Sequence, residues 1–383
     1  MLKEFFFNKG SNISYSEETI DILKLIRSEN VGPITFLKLI KTFGNARSAL
    51  ENIEQLSING GHQRPIKIYS QESVELELEL LSKNNSKLLT YLAPEYSKLL
   101  LEIPDFPPVI SYKGNIELLN STTLAIVGSR NASINTQAFT SKIATELVNQ
   151  GYVIVSGLAR GIDTAAHKVS IDKTVAVVAG GIDYIYPSEN AKLYQEIADN
   201  GLIIAELAIN TKPLGKHFPQ RNRLISGLSL GTLVVEASLR SGSLITARTA
   251  LDQNREVFAV PGFPLDPRSE GTNKLIKDGA ILVQSIEDIT NNLNNFDRLI
   301  NSDDTLADSN YDFNSSKGNY LNQINNQMRQ QIVDYLSSAP TSLEDIIEKT
   351  DLPIQVIHMI ILELELAGRI IRSPGNKISL LYK

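Results

Sequence analysis

Thr123-Leu124-Ala125-Ile126-Val127-Gly128-Ser129-Arg130 joins a short apolar run to a glycine, a serine and an arginine, and amphipathic periodicity follows at 137–150. A strand apolar on both faces is covered on both faces, and a strand that ends in glycine before a helix belongs to a parallel α/β sheet. The pattern repeats downstream. Strands are predicted at 124–127, 153–155, 175–178, 203–206, 233–236, 257–260 and 281–283, with helical stretches such as 137–150 and 163–170 between the early ones. The expected fold class is α/β, a doubly wound, mostly parallel sheet whose ligands lie beyond the carboxyl ends of its strands.

Outward from this sheet the chain changes character. Ile22, Leu23 and Ile26 stand at helical spacing, Val31-Gly32-Pro33 breaks the run, and Phe36, Leu37, Ile40 and Phe43 resume it before Gly44. This predicts an N-terminal helical module of the helix-hairpin-helix or SAM-like kind over 1–85. Within it and beyond, 61–120 reads as a connection with one helix at 72–81 and extended chain around Pro94, Pro104, Pro107 and Pro108. The sheet belongs to an extended Rossmann-like domain over 86–290. Residues 291–320, rich in Asn, Asp and Ser, read as a flexible linker. Helices at 328–337, 342–349 and 353–367 and a hairpin over 369–372 and 377–381 predict a winged helix over 321–383. Its presumptive recognition helix, 354–367, carries no Lys or Arg, which favours protein contact or self-packing over DNA reading.

Composition narrows the function. The chain has 383 residues and no apolar run long enough to cross a bilayer, and its first eight residues lack the pattern of a secretory leader, so a cytoplasmic protein without membrane contact is expected. With no cysteine and only four histidines, a thiolate zinc site, a thiol nucleophile and a histidine-rich metal site are disfavoured, and no cofactor is expected. Net charge is −6, from 37 basic and 43 acidic residues, so affinity for nucleic acid requires a local patch. One exists: 208–235 carries Lys212, Lys216, Arg221 and Arg223 and no acid, with Phe218-Pro219 inside it. Cations beside an aromatic ring suit single-stranded nucleic acid, offering charge to phosphates and a flat face to a base.

Three glycine turns end successive strands: Gly128-Ser129-Arg130, Ser156-Gly157-Leu158-Ala159-Arg160-Gly161-Ile162-Asp163 and Ala179-Gly180-Gly181-Ile182-Asp183. Their amides are expected to form a long shallow groove for a polymer backbone, with Ser241-Gly242-Ser243 adding a helix N-terminus at the same edge. A GxGxxG turn is missing, and Ser156-Gly157 stands where a dinucleotide-binding fold places the ribose acid, which disfavours NAD. His167, in step with Asp163, is read as a packing residue.

In their order along the chain these motifs, with Ala166-His167, Tyr186-Pro187, Arg221-Asn222-Arg223, Val235-Glu236-Ala237, Ser241 to Ala247 and Val260-Pro261-Gly262, resemble the DNA processing protein A (DprA/Smf) family over about residues 105–290. The resemblance implies a single-stranded DNA-binding recombination mediator, not an enzyme. It further implies a homodimer formed through the Rossmann-like domain and delivery of incoming strands to the RecA recombinase during natural transformation. Carried onto this sequence, Arg130, Arg221 and Arg223 would meet phosphates and Phe218 would stack a base. The full candidate DNA-binding set is Gly128, Ser129, Arg130, Ser156, Gly157, Arg160, Gly161, Lys216, Phe218, Arg221, Asn222, Arg223, Ser241, Gly242 and Thr246. The alternative is a nucleotide-processing hydrolase of the lysine-decarboxylase-like group, whose PGGxGTxxE turn Ser229 to Glu236 partly echoes, with Asp163, Glu206 or Glu236 as acid or base. A third reading, a protein adaptor, rests on the tail alone.

Overall fold

The computed structural model describes residues 5–6, 14–293, 324–373 and 377–381. The expected 291–320 linker falls almost wholly outside them. Two units result, one made of Met1–Leu76 with Ser309–Lys383 and one of Glu77–Asp308.

In the first unit Phe5–Phe6 (β1) pairs antiparallel with Ser14–Tyr15 (β2). Ser16 caps Glu17–Arg27 (α1) by accepting the Thr19 amide, and Glu17 and Glu18 in its first turn complement the helix dipole. Pro33 opens Pro33–Phe43 (α2), where a missing N–H costs nothing, and Gly44 at φ +86° closes it. Ala46–Asn59 (α3) follows, capped by Asn45. Leu23, Leu25, Phe36, Leu39 and Ile53 are fully buried, so the module has a core of its own.

Gln71–Lys83 (α4) contains the boundary between the units. Then come Lys87–Thr90 (β3), Lys98–Leu101 (α5), Val109–Gly114 (β4), Thr123–Val127 (β5), Ile134–Asn149 (α6), Val153–Ser156 (β6), Ile162–Lys168 (α7), Thr174–Val178 (β7), Ala191–Asn200 (α8) and Leu202–Ala205 (β8). His217–Gly227 (α9), Gly231–Val234 (β9), Gly242–Asp252 (α10), Glu256–Ala259 (β10), Glu270–Lys277 (α11) and Ile281–Leu282 (β11) complete it. All seven predicted strands are present and mutually parallel, in the order β11-β10-β9-β5-β6-β7-β8, within a nine-stranded sheet that continues through β4 to β3. Every residue of β5 to β9 is buried, as a sheet covered on both faces requires. Two elements differ from expectation. The proline-flanked stretch after 85 is not merely a connection: β3 and β4 form an antiparallel edge on β8. And 217–227, which contains Phe218, Arg221 and Arg223, is a helix, since Pro219 lies in its first turn where no amide has an intrahelical partner.

The chain runs from β5 outward through β6, β7 and β8, then returns to lay β9 on the other side of β5. Strand order reverses between β5 and β9, and the crevice beyond their carboxyl ends is where an open α/β sheet binds its ligands.

Beyond the sheet, Asn326–Tyr335 (α12), Leu343–Lys349 (α13) and Ile354–Leu366 (α14) lie with a sheet of Thr341–Ser342 (β12), Lys377–Leu380 (β14) and Ile370–Ser373 (β13), the last two forming the expected hairpin. The turn at 374–376 lies outside the described residues. α14 packs on α3 of the N-terminal module, within the same unit. Gly60 makes this approach possible, because a Cβ there would sit 2.0 Å from the Glu363 carbonyl oxygen. Glu363 is 1% exposed and held in a two-pronged pair by Arg329, at 2.7 and 2.9 Å. Arg329→Ala should therefore leave a buried carboxylate with no cation, only the Asn59 side-chain amide, and lower stability by about 3–5 kcal/mol, measured by chemical denaturation.

Candidate nucleic-acid interface

Helix α9 decides which side chains reach the crevice. Phe218, Arg221, Asn222 and Ile225 fall at positions i, i+3, i+4 and i+7 and share the face toward β5. Opposite them stand Val127, Gly128 and Arg130 at the end of β5, and Ser241, Gly242, Ser243, Ile245 and Thr246 at the start of α10. Together these enclose a groove of about 400 Å³. At its mouth the Arg130 guanidinium lies 5.1 Å from the centre of the Phe218 ring, and Tyr186 meets the same ring edge-on at 5.4 Å. Arg130 is exposed, Phe218 half-buried and Tyr186 48% exposed.

Beneath this surface the polar groups serve one another. Arg221 is buried, and its Nη1 donates to the Gly157 carbonyl at 2.6 Å and to the Val177 carbonyl. Residue 157 is glycine because a Cβ would lie 2.4 Å from that nitrogen. Burial lowers the Arg221 pKa to about 10, with Asp163 favouring the charge and Arg130 opposing it, so the group stays cationic at neutral pH. Burial raises the Asp163 pKa, against the pull of Arg221 and of the amides of Gly157 and Ala159, which donate to its carboxylate at 3.1 and 3.2 Å. His167, 0% exposed, accepts the Leu158 amide at Nε2 and bonds through Nδ1 to Thr174 Oγ1 at 2.7 Å. Burial above all pushes its pKa down to about 3, which fixes it as a neutral packing residue.

One further anion lies inside the fold. Glu236, just after β9, accepts the Ser133 amide at 3.3 Å and the Thr136 hydroxyl at 2.9 Å, so its carboxylate occupies the N-terminus of α6. In dinucleotide-binding sheets the helix after the first strand offers that end to a pyrophosphate. Here a protein carboxylate fills it.

Comparison with known proteins matches three parts of the chain to one family. A family described as DNA recombination-mediator protein A matches residues 87–294, a DprA-like N-terminal HHH domain matches 16–79 and a DprA winged helix domain matches 322–376. The Escherichia coli protein Smf is 36% identical over 316 residues, covering 82% of both chains. The chain belongs to the DprA/Smf family. Its DprA relative from Streptococcus pneumoniae is 40% identical over 250 residues, 62% of this chain and 88% of that one. The crystal structure of Streptococcus pneumoniae DprA superposes with a TM-score of 0.57 at 37% identity, covering 70% of this chain and 95% of that one. A Helicobacter pylori DprA, whose structure was described for its single-stranded DNA binding mode, gives 0.51 at 33% identity over 56% of this chain and 96% of that one.

Within this DprA-family chain the candidate residues separate into two groups. Arg130, Phe218, Asn222, Ser241, Gly242 and Thr246 line the groove with Gly128, and Lys216 is exposed where α9 begins. Arg160 is exposed beyond the groove and paired with Glu189. The others have partners within the fold. Ser156 is buried and donates to the Ile126 carbonyl at 2.6 Å, and Gly157 lies under Arg221. Gly161 is needed for its φ of +73° and its approach to Ser129, whose carbonyl would stand 2.2 Å from a Cβ, while the Ser129 hydroxyl accepts the Asn131 amide. Arg221 also lines the groove, with its guanidinium held on the Gly157 and Val177 carbonyls. Arg223, two residues on and so on another face of α9, pairs with Asp105 at 3.3 Å and with Glu206. Three of the turn amides are already engaged: those of Gly157 and Ala159 serve Asp163, and that of Gly181 donates to the Thr211 carbonyl. Tyr186 is the groove-mouth residue that the sequence set omits, and its place beside Phe218 becomes visible only once α9 is folded.

Arg221→Ala should cost about 3–5 kcal/mol of stability, because it strands two carbonyls and the Asp163 charge, and denaturant midpoints will show it. For His167 the folded pKa lies below the unfolded one, near 6.5, so the unfolded chain binds the proton first. Its contribution is complete above pH 6.5 and drains away as pH falls toward 3. Denaturant titrations at pH 7 and pH 5 should show a loss of stability that shrinks in His167→Gln.

Proposed function

We propose that this chain binds single-stranded DNA in the groove at the β5/β9 reversal and acts as a recombination mediator that delivers the strand to RecA in the cytoplasm, without chemistry of its own. The observation that carries the reading is the cluster of Arg130, Phe218 and Tyr186 at the mouth of that groove. An exposed guanidinium offers a charge to a phosphate, two aromatic rings offer faces and edges to a base, and Lys216 at the start of α9 extends the positive rim. Single-stranded DNA binding by the Helicobacter pylori relative supports the choice of a single strand over a duplex. In the free chain Arg130 itself covers a face of Phe218, so a base stacking there takes the place of the guanidinium as a phosphate draws it outward.

The hydrolase alternative draws less support. Each carboxylate offered for acid or base work already has partners: Asp163 the amides of its own turn, Glu206 the Arg223 guanidinium, and Glu236 the start of α6. Pairing of two chains through the Rossmann-like unit is supported by Leu251 in the last turn of α10 and by Phe263 and Leu265 ahead of α11, large apolar side chains exposed at 58%, 67% and 82%.

Titration of fluorescent oligo-dT and of the matching duplex at two salt concentrations tests the site. The single strand should bind preferentially and more weakly at high salt. Arg130→Ala should lower affinity and reduce the salt slope by about 0.7, and Phe218→Ala should cost roughly 1–3 kcal/mol of binding. Unchanged affinity in both variants would move the site elsewhere.

A further inference from the structure

Helix α10 forms one wall of the groove, and the cations along it take no part in holding the fold. The stretch 237–251 carries Arg240 and Arg248 and no acid, and both side chains are exposed. The other described arginines of the second unit all have something to hold. Arg160, Arg223, Arg255 and Arg268 pair with acids, Arg221 donates to carbonyls and Arg130 covers a ring. Among the described residues neither the Arg240 nor the Arg248 guanidinium has a hydrogen bond, an ion pair or a ring contact. Arg248 remains unpaired even though Asp252 stands four residues further along the helix, a spacing at which such pairs form.

Their positions follow from the helix. Ser241 and Ile245 line the groove from α10. Residues three apart step by about 60° round a helix axis, so Arg248 lies between Ile245 and Leu251, on the outer shoulder of the groove wall. Arg240 stands at the other end of that wall, one residue before the Ser241 cap, and the axis rises about 9 Å from Gly242 to Arg248. Ile245, 46% exposed, sits between the two cations, and Leu239, 54% exposed, adjoins the first. Two unpaired guanidinium groups flanking exposed apolar side chains offer what a single strand needs, charge for phosphates and a dry surface for a base. We propose that α10 carries a second strand-binding segment, in which Arg240 and Arg248 take phosphates on either side of a base resting on Ile245, so that a strand longer than the groove continues along its outer wall. The segment rests on the reading of the groove as the single-strand site. It adds affinity only to strands long enough to leave that groove, and strand length therefore separates the two.

The full-length chain, Arg130→Ala and the double variant Arg240→Ala with Arg248→Ala would be titrated with fluorescent oligo-dT of about 4 and about 16 nucleotides over a range of salt. Arg130→Ala should weaken binding at both lengths. The double variant should bind the short strand as the unaltered chain does, bind the long one several-fold more weakly, and lose about 1.4 from the salt slope of the long strand, close to 0.7 for each phosphate released. Arg240→Lys with Arg248→Lys keeps both charges and should restore that slope. Both side chains are exposed, so neither substitution uncovers a buried group. Equal losses at the two lengths would place the arginines within the groove itself, and no loss at either length would leave them as solvated charges; each result overturns the inference. A change in sedimentation of the double variant would assign the lost affinity to chain pairing and overturn it as well. If Arg130→Ala leaves the short strand bound as before, the groove reading fails and the segment falls with it.

Discussion

A positive charge buried under the sheet edge organises the site. Arg221 reaches from α9 to the carbonyls that end β6 and β7, and it does so over a glycine, because no other residue at 157 leaves room for its guanidinium. Asp163 answers the charge from the start of α7 while holding the turn after β6 by two amides. Through this one group the angle of α9 is tied to two strands and a turn. Phe218 is displayed at the groove mouth because its helix is fixed three residues further on. A site of this kind needs its reading side chains at the surface and its supporting charges beneath, and α9 supplies both from one face.

Two of the places that look made for phosphates already hold carboxylates. Asp163 fills the amides after β6, and Glu236 fills the N-terminus of α6. A fold that holds pyrophosphates against its helix ends in dinucleotide-binding proteins here holds its own carboxylates there. The side chains that line the crevice remain available to a ligand.

Much of this architecture can be read from the chain, for reasons that are local. Parallel strands buried on both faces are continuous apolar runs, and all seven of them appear at the expected places. Strands β3 and β4 escaped because Pro104, Pro107 and Pro108 obscure them and because an edge lacks the long apolar signature. Helix α9 escaped because Pro219 and the four polar or charged residues after it resemble a loop, although a proline in the first turn costs the helix no bond. In the site, Arg130 and Phe218 could be picked out as exposed cation and aromatic. Arg221 could not be told from Arg130 by composition, since only the phase of α9 turns one arginine inward and Arg223 toward acids. The packing of α14 on α3 joins residues that no local pattern connects. The shortage of basic residues in α14 was the only signal that it faces protein.

That packing sets an order of events during synthesis. α3 leaves the ribosome long before α14, and the entire sheet is translated between them. At ordinary elongation rates the surface of α3 that α14 will cover stays open for on the order of tens of seconds. The middle of the chain has by then acquired all its strands, so the sheet is complete while the unit formed by the two ends is still waiting for its second half. In a nascent chain of this protein α1 to α3 come first, the sheet next, and α14 last, closing over a surface made at the start.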